Sequence, residues 1–181
     1  MVYVFLANGF EIIEALAPVD MLRRAGVEVR TVGVGSKTIV SSHKISINAD
    51  ITADEVVLDD NLQMVVLPGG MPGTLNLEAD ETVQKAVDFC AEKDRFIAAI
   101  CAAPSILGHK GLLQGREAIC FPGFESELKG AKLSDKYVAQ DGKIITARGA
   151  GVCIPFGLKL VENLVSKEKA DSLEASIQCL K

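Results

Sequence analysis

The fold is decided by the stretch Arg95-Phe96-Ile97-Ala98-Ala99-Ile100-Cys101-Ala102-Ala103-Pro104-Ser105-Ile106-Leu107. Its first half is rich enough in isoleucine and small residues to predict a buried strand, and a helix-like pattern begins soon after Cys101. A strand that turns directly into a helix places the corner residue on a tight bend at the carboxyl edge of the sheet, as in the nucleophile elbow of hydrolases. Such an elbow needs little bulk two positions before and after the corner, and Ala99 and Ala103 meet that need.

Two interpretations of Cys101 are open on this segment alone. A cysteine at the N-terminus of a helix is favoured as a thiolate by the partial positive charge there, which predicts a reactive thiol. The alternative is a buried cysteine that packs as a small hydrophobic side chain, which is common in folded proteins.

Composition predicts one domain over residues 1–181. The chain has 181 residues, of which 49% are hydrophobic, enough for a sheet and its helices to bury each other. A net charge of −5 argues against nucleic acid or an anionic membrane as a partner. No apolar run is long enough to span a membrane, and the first residues lack the basic segment of a secretion signal.

The cysteine and histidine content predicts a cytoplasmic protein without a histidine-rich metal site, and no metal or cofactor is expected. The five cysteines are odd in number and form no C-x-x-C pair, so free thiols in a reducing compartment are expected. Only His43 and His109 can supply imidazole, which excludes a histidine-rich metal site.

Strand-like and helix-like segments alternate along the chain, which predicts an α/β fold with a mostly parallel sheet covered by helices on both faces. The predicted strands are Val2–Leu6, Val27–Val34, Met64–Leu67, the run before Cys101 and Glu117–Cys120, with hairpins at 38–40/44–48 and 137–139/143–147. The predicted helices are Glu11–Ala25, Asp80–Lys93, a short helix through Leu107, Cys153–Leu164 and Lys167–Leu180.

Ligands of such sheets bind at the carboxyl ends of the strands, so the loops there should converge on one site. Glu14 lies in an apolar part of the first helix, where a carboxylate is costly without a partner or a proton; the alternative is that it faces water. Gly69 and Gly70 allow a close backbone approach to a ligand, or form an ordinary turn. His109 is about two turns beyond Cys101 and is expected at a helix C-terminus instead of acting as a base.

Taken together, these segments resemble the ThiJ/PfpI family of the class I glutamine-amidotransferase-like superfamily. The likeness is greatest to the branch of the parkinsonism-associated deglycase and its YajL-type bacterial relatives. The matching pieces run in family order across nearly the whole chain: Gly9-Phe10-Glu11-Ile12-Ile13-Glu14 with Pro18-Val19-Asp20, Arg23-Arg24-Ala25-Gly26-Val27, Val65-Val66-Leu67-Pro68-Gly69-Gly70, Ala98-Ala99-Ile100-Cys101-Ala102-Ala103-Pro104 and Arg148-Gly149.

The resemblance implies a flavodoxin-like three-layer sandwich that forms a homodimer. It implies that Cys101 is the reactive thiol, that Glu14 contacts it, and that the pKa of Cys101 falls while that of Glu14 rises. The remaining implied site residues are the oxyanion donors Gly70 and Ala102 (backbone N–H), the pocket residues Gly69, Phe121, Gly149 and Ala150, and His43 beside the partner subunit's pocket.

Departures from the family pattern narrow the implied function. Peptidase-like members resemble a Cys-His pair at the nucleophile, but here Ala102 follows Cys101. The downstream histidine–glutamate pair of the amidotransferases is also absent from the sequence. Phe121 replaces a histidine found in several relatives, which leaves a Cys–Glu pair. The resemblance implies a glyoxalase III or deglycase-type enzyme that acts on small dicarbonyls such as methylglyoxal, or on glycated adducts, without glutathione. The alternatives are a redox-responsive protein or holdase that uses the same cysteine, and a domain with only an inherited pocket.

Overall fold

The computed structural model describes residues 1–179. Its helices are α1 Ile12–Arg24, α2 Gly73–Ala79, α3 Glu81–Glu92, α4 Pro104–His109, α5 Cys153–Leu164 and α6 Lys167–Ser176. Its strands are β1 Val2–Leu6, β2 Val29–Gly33, β3 Thr38–Val40, β4 Ser46–Asn48, β5 Ile51–Thr52, β6 Met64–Leu67, β7 Phe96–Ile100, β8 Glu117–Ala118, β9 Lys132–Leu133, β10 Val138–Asp141 and β11 Ile144–Ala147.

A seven-stranded sheet forms the centre of the molecule in the order β10-β11-β7-β6-β1-β2-β5. All neighbouring strands are parallel except β10 and β11, which form an antiparallel hairpin. The register pairs Leu67 with Ala99 and Ala147 with Ile100, so that β6, β7 and β11 end side by side. The loops that follow these three strands therefore meet at one edge of the sheet.

Helices cover both faces of this sheet, which confirms the predicted three-layer α/β sandwich. Alternate residues of β1 enter two separate cores, because successive side chains of a strand point to opposite faces. Val2, Val4 and Leu6 pack with α1, α5 and α6, whereas Tyr3 and Phe5 pack with α3 and α4.

Close packing between α1 and α5 determines which face of α1 is buried. A Cβ atom at Gly157 would lie 3.1 Å from the Pro18 Cα, so the glycine allows α5 to approach α1 closely. The buried residues of α1 are Glu14, Ala15, Pro18, Val19, Met21 and Leu22. The spacing of this helix predicts an apolar face of Ile12, Leu16, Val19 and Leu22. Val19 and Leu22 are buried as predicted, whereas the prediction is wrong for Ile12 and Leu16, which are only half-buried.

The predicted strand Glu117–Cys120 does not join the central sheet. Only Glu117 and Ala118 are in strand conformation, and they pair with β9 in a separate two-stranded ladder. The Ile119 N–H donates to the side-chain oxygen of Thr146 in β11 at 2.9 Å, in place of a backbone ladder bond. The patterns also missed α2, β5 and β9, and α6 ends at Ser176; Leu180, predicted as its end, lies outside the described residues.

Candidate active site

Cys101 lies at the corner between β7 and α4, as the elbow pattern predicts. Its backbone has φ 65°, a left-handed conformation that non-glycine residues rarely adopt. The bend is held by hydrogen bonds on both sides, from the Cys101 N–H to the Ala147 carbonyl at 2.9 Å and from the Phe121 N–H to the Cys101 carbonyl at 2.8 Å. These bonds join the loops after β7, β8 and β11 around one partly exposed thiol.

Glu14 reaches this thiol from the first turn of α1. The side chain of Glu11 caps the helix by accepting the Glu14 N–H at 2.9 Å, which fixes the position of the first turn. The Glu14 carboxyl is 1% exposed, so the alternative that it faces water is wrong. It is hydrogen-bonded to the Cys101 side chain and accepts backbone N–H groups from Gly69, at 2.9 Å, and from Ala150.

Glycine at position 69 is required by the close approach of the two functional side chains. A Cβ atom there would lie 2.6 Å from the Cys101 Cβ and 2.7 Å from the Glu14 Oε2. The next residue, Gly70, and Ala102 both direct backbone N–H groups to the Cys101 sulfur. The sulfur therefore has two fixed donors, in the positions expected for stabilising an oxyanion or a thiolate.

Glu14 and Cys101 titrate as a coupled pair. Burial raises the pKa of Glu14 from 4.5 to about 7. Burial and the neighbouring Glu14 carboxylate raise the pKa of Cys101 to about 12, although the N–H groups of Ala102 and Gly70 act in the opposite direction. Beside an ionised Glu14, the predicted fall in the pKa of Cys101 is thus wrong, because burial and like charge outweigh the backbone donors; α4 has only six residues and contributes a small dipole.

The first proton to leave the pair leaves one negative charge, which lies either on the Glu14 carboxyl or on the Cys101 sulfur. When Glu14 keeps the remaining proton, its carboxylate charge is absent, and its O–H can donate to the sulfur. Like-charge repulsion then no longer opposes the thiolate, and a hydrogen bond stabilises it.

Three of the predicted pocket residues, Phe121, Gly149 and Ala150, line an open, mostly apolar cleft of about 380 Å³. Cys101 is not among its lining residues but lies beside it, since a Cβ atom at Gly149 would be 3.9 Å from the Cys101 sulfur and 3.2 Å from the Phe121 ring. Phe121 is 48% exposed and cannot transfer protons, so it contributes only an apolar wall to the site.

Two functional groups were missed by the sequence patterns. The carboxylate of Glu11 helps to raise the pKa of Glu14, and Cys153 is a buried thiol close enough to feel the charges of Glu11, Glu14 and Cys101. The spacing of Glu11 three residues before Glu14 is a helix-capping signal that identifies the former. Cys153 comes from α5, a distant part of the chain, and carries no local signal.

A model of the DJ-1/PfpI family matches residues 1–163. The chain belongs to the DJ-1/PfpI family. It is 38% identical to protein DJ-1 homolog B of Arabidopsis thaliana, and the match covers 91% of this chain and 38% of that protein. It is 34% identical to protein dj-1beta of Drosophila melanogaster, and that match covers 94% of this chain and 92% of the relative. It is 28% identical to a Schizosaccharomyces pombe protein named glutathione-independent glyoxalase DJ-1, over 97% of both chains. The chain spans less than half the length of the Arabidopsis relatives, at 38% and 44%.

Solved DJ-1 structures have the same fold as this DJ-1/PfpI chain. A mutant of a DJ-1 superfamily protein from Salmonella typhimurium superimposes with a TM-score of 0.93 at 32% identity, covering 99% of this chain and 98% of that one. The oxidized DJ-1 of Toxoplasma gondii gives a TM-score of 0.93 at 32% identity, covering 98% of this chain and 97% of that one. Both likenesses confirm the architecture predicted from the family resemblance.

The two histidines of this DJ-1/PfpI chain lie apart from the Cys101–Glu14 pair. His43 is exposed at the β3–β4 turn, and its place beside a partner subunit stays a prediction, as does the homodimer. His109 bridges α2 and the segment after β8, since its Nδ1 contacts Glu78 at 2.5 Å and its Nε2 contacts Glu127 at 2.8 Å. Within residues 1–179, no group of three or more metal-binding side chains is assembled, and no helix is long and apolar enough to cross a membrane.

Proposed function

We propose that this chain is a cysteine-dependent glyoxalase III or deglycase-type enzyme that acts on small dicarbonyls such as methylglyoxal without glutathione. The observation that carries the proposal is the hydrogen-bonded pair of a partly exposed thiol at an elbow, Cys101, and a buried carboxyl, Glu14. The name of the S. pombe relative, glutathione-independent glyoxalase DJ-1, supports the same reaction class.

In the reactive state of the pair, Glu14 holds the proton and the sulfur carries the charge. Because the first proton leaves the pair near pH 7, a single negative charge is present under neutral conditions. The N–H groups of Gly70 and Ala102 stabilise that charge on sulfur, while the Glu14 O–H donates to it. The thiolate is the nucleophilic form of cysteine.

The first step forms a carbon–sulfur bond. The Cys101 thiolate adds to the aldehyde carbon of methylglyoxal, and the carbonyl oxygen becomes an alkoxide that the Gly70 and Ala102 N–H groups stabilise. The proton of Glu14 passes to this alkoxide, which completes a neutral hemithioacetal and leaves Glu14 as a carboxylate.

The second step moves a proton between adjacent carbons. The Glu14 carboxylate removes the hydrogen of the hemithioacetal carbon and returns a proton to the neighbouring carbon, while the hydroxyl proton of the hemithioacetal passes to the former ketone oxygen. The product is a lactoyl thioester on Cys101. Water then cleaves the thioester, releasing lactate and restoring the thiol. The overall change is methylglyoxal plus water to lactic acid, with no external oxidant or reductant. Acting on protein-bound hemithioacetals or aminocarbinols, the same pair would serve as a deglycase.

The arrangement does not favour peptidase or amidotransferase chemistry. Both classes need a group that takes the proton of the nucleophile as a base and gives it to the leaving amine as an acid, and neither His43 nor His109 contacts Cys101. Phe121, which lies beside Cys101, cannot transfer protons. An isomerisation within one small substrate has no leaving amine, so beyond the Cys101 thiol it needs only a group that moves a proton, which is the Glu14 carboxyl.

The proposal is tested by assaying lactate formation from methylglyoxal without glutathione. Cys101→Ala and Glu14→Gln should each lower kcat by at least about a hundredfold, since each removes a group that reacts in the transition state. Cys179→Ala is the matched control, because Cys179 is the other partly exposed thiol, and its turnover should equal that of the wild type. Wild-type turnover in either site variant would overturn the mechanism.

A second candidate function is redox response through the same sulfur, including holdase activity of the oxidised form. Its support is the partial exposure of Cys101 beside a protonatable carboxyl, and the oxidized state in which the T. gondii relative was solved. Peroxide would oxidise the thiolate to sulfenate and then sulfinate, each oxygen transfer releasing one water, and the Glu14 O–H would donate to the sulfinate.

Intact-mass and peptide analysis after mild peroxide treatment tests this second function. Oxygen should be added at Cys101 before Cys179, although both thiols are partly exposed, and the buried Cys90, Cys120 and Cys153 should react last. Equal oxidation of Cys101 and Cys179 would contradict the redox proposal while leaving the glyoxalase assay unaffected.

A further inference from the structure

A second cleft lies at the opposite edge of the sheet from Cys101. It has a volume of about 590 Å³, and its lining includes Arg95 and Phe96 at the start of β7, Arg116 before β8 and Lys143 before β11. We call it the basal cleft. β7 runs from Phe96 to Ile100, so the basal cleft is about 16 Å of strand away from Cys101.

The basal cleft is positively charged although the chain as a whole is acidic. Three of its lining side chains are cationic, those of Arg95, Arg116 and Lys143, and all three residues are half-buried. Asp94 is the one acidic residue in the lining, so the cleft has a net charge of about +2, against −5 for the whole chain. Basic residues concentrated in a concave surface attract anions.

Arg95 and Arg116 each face one carboxylate from outside the lining, at a longer distance than in the other ion pairs. Arg95 and Asp60 are 3.9 Å apart and Arg116 and Asp141 are 3.4 Å apart, whereas every other ion pair within residues 1–179 is 3.2 Å or shorter. Lys143 has no ion pair in this part of the chain, and its ammonium lies 4.1 Å from the centre of the Phe96 ring.

Arg95 also has an unsatisfied donor. Its Nε is buried and has no hydrogen-bond partner among residues 1–179, and its terminal nitrogen reaches only the Asp60 carbonyl at 3.3 Å. A buried donor without an acceptor costs about 1–3 kcal/mol, so an incoming acceptor would be favoured.

We propose that the basal cleft binds a small organic phosphate, with Arg95, Arg116 and Lys143 around the phosphate group. Guanidinium groups match the geometry of phosphate oxygens, and an ammonium adds a point charge. The volume exceeds what a bare ion requires and falls in the usual range for small-molecule clefts, about 300–1,000 Å³. Phe96, Leu112 and Ile144 provide an apolar wall for the organic part of the ligand. The inference rests on none of the chemistry at Cys101.

Isothermal titration calorimetry with AMP as the probe tests the proposal. AMP should bind the wild type, and adenosine, which lacks the phosphate, should bind at least about tenfold more weakly. Inorganic phosphate should compete with AMP, and binding should weaken as chloride is raised, because salt screens the charges. Equal affinities for AMP and adenosine, or no AMP binding at millimolar concentrations, would overturn the proposal.

Charge variants locate the phosphate. Arg116→Gln combined with Lys143→Gln should weaken AMP binding at least about tenfold, whereas Lys85→Gln, which removes an exposed cation paired with Glu81, should not. An unchanged affinity in the double variant, or an equal loss in Lys85→Gln, would place the phosphate elsewhere and refute the assignment. Backbone amide NMR shifts of Gly142 and Phe96 in the wild type test the same assignment without any substitution; they should move with AMP, and shifts confined to the Cys101 loop would contradict it.

Discussion

Replacing Glu14 by glutamine should change how the stability of the protein depends on pH. The glutamine oxygen can still accept the N–H groups of Gly69 and Ala150, so the variant is expected to fold. It loses the buried titratable group, whose pKa rises from 4.5 to about 7 on folding because burial disfavours the carboxylate. At about 1.4 kcal/mol per pH unit, that rise makes ionisation of Glu14 cost the folded state about 3 kcal/mol.

The sign of this effect follows from proton linkage. Folded protein holds the Glu14 proton more tightly than the unfolded chain, so unfolding releases a proton between pH 4.5 and about 7. Wild-type stability should therefore fall as pH rises through that window, and this contribution should be absent from Glu14→Gln. Subtracting the two proteins cancels the titration of groups outside the Glu14–Cys101 pair.

Urea unfolding at a fixed protein concentration measures the difference. The unfolding free energy of Glu14→Gln relative to the wild type should increase by about 2.5 kcal/mol between about pH 5 and about pH 8. A difference that stays constant within about 0.5 kcal/mol over this range would refute the raised pKa of Glu14 and the single shared charge of the pair.

Three further predictions address packing and charge. Gly69→Ala should place a methyl group against Cys101, which should destabilise the fold by about 1–3 kcal/mol in urea unfolding and lower methylglyoxal turnover in the lactate assay. Gly151→Ala is the control: a Cβ there meets nothing within 4 Å, so stability and turnover should stay unchanged. His109→Gln should lower the free energy of unfolding by about 1 kcal/mol below pH 6.5. Hydrogen bonds to Glu127 and Glu78 raise the pKa of His109 in the folded protein, so the loss should become smaller as pH rises through that pKa. Equal losses at all pH values in urea titrations would contradict this. Phe156→Ala, at a fully buried site of α5, should cost about 3–5 kcal/mol in thermal or urea unfolding, and a smaller loss than about 1 kcal/mol would show that the α1–α5 core is not tightly packed.

The elements that the sequence predicts well are those with strong local patterns. The apolar run before Cys101 and the small residues after it specify a strand, a bend and a helix without reference to the rest of the chain. The helix Cys153–Leu164 was predicted with the bounds that it has in the structure. In both cases, neighbours along the chain determine the conformation.

The candidate site was predicted less completely because its geometry depends on long-range packing. Glu14 is buried among Gly69, Cys101 and Ala150, which come from three distant parts of the chain and which no local pattern of α1 reveals. Glu14 has apolar neighbours in sequence, and that signal alone is equally consistent with a solvated carboxylate. Only the family resemblance linked it to Cys101 before the structure placed the two side chains together.

The segment around Phe121 shows a second limit of local patterns. Its apolar run predicts a central strand, yet side-chain and elbow contacts take up the N–H groups of Ile119 and Phe121. The pKa of Cys101 is a third case, since the bend favours a thiolate while burial beside a carboxylate opposes it. Whether Cys101 ionises to a thiolate depends on whether Glu14 holds a proton, so the pKa of the thiol is a property of the pair and not of Cys101 alone.

The most direct test of the proposed chemistry is a titration of the thiolate ultraviolet absorbance of Cys101, with Cys101→Ser as the blank. The account predicts that thiolate absorbance appears as the pair loses its first proton, well below the pKa of about 12 that Cys101 has beside an ionised Glu14, and that Glu14→Gln moves the transition to higher pH because an amide is a weaker donor than a carboxylic acid. A wild-type thiolate that appears only towards pH 12, and earlier in Glu14→Gln, would show that the charge rests on the carboxylate and would contradict the account.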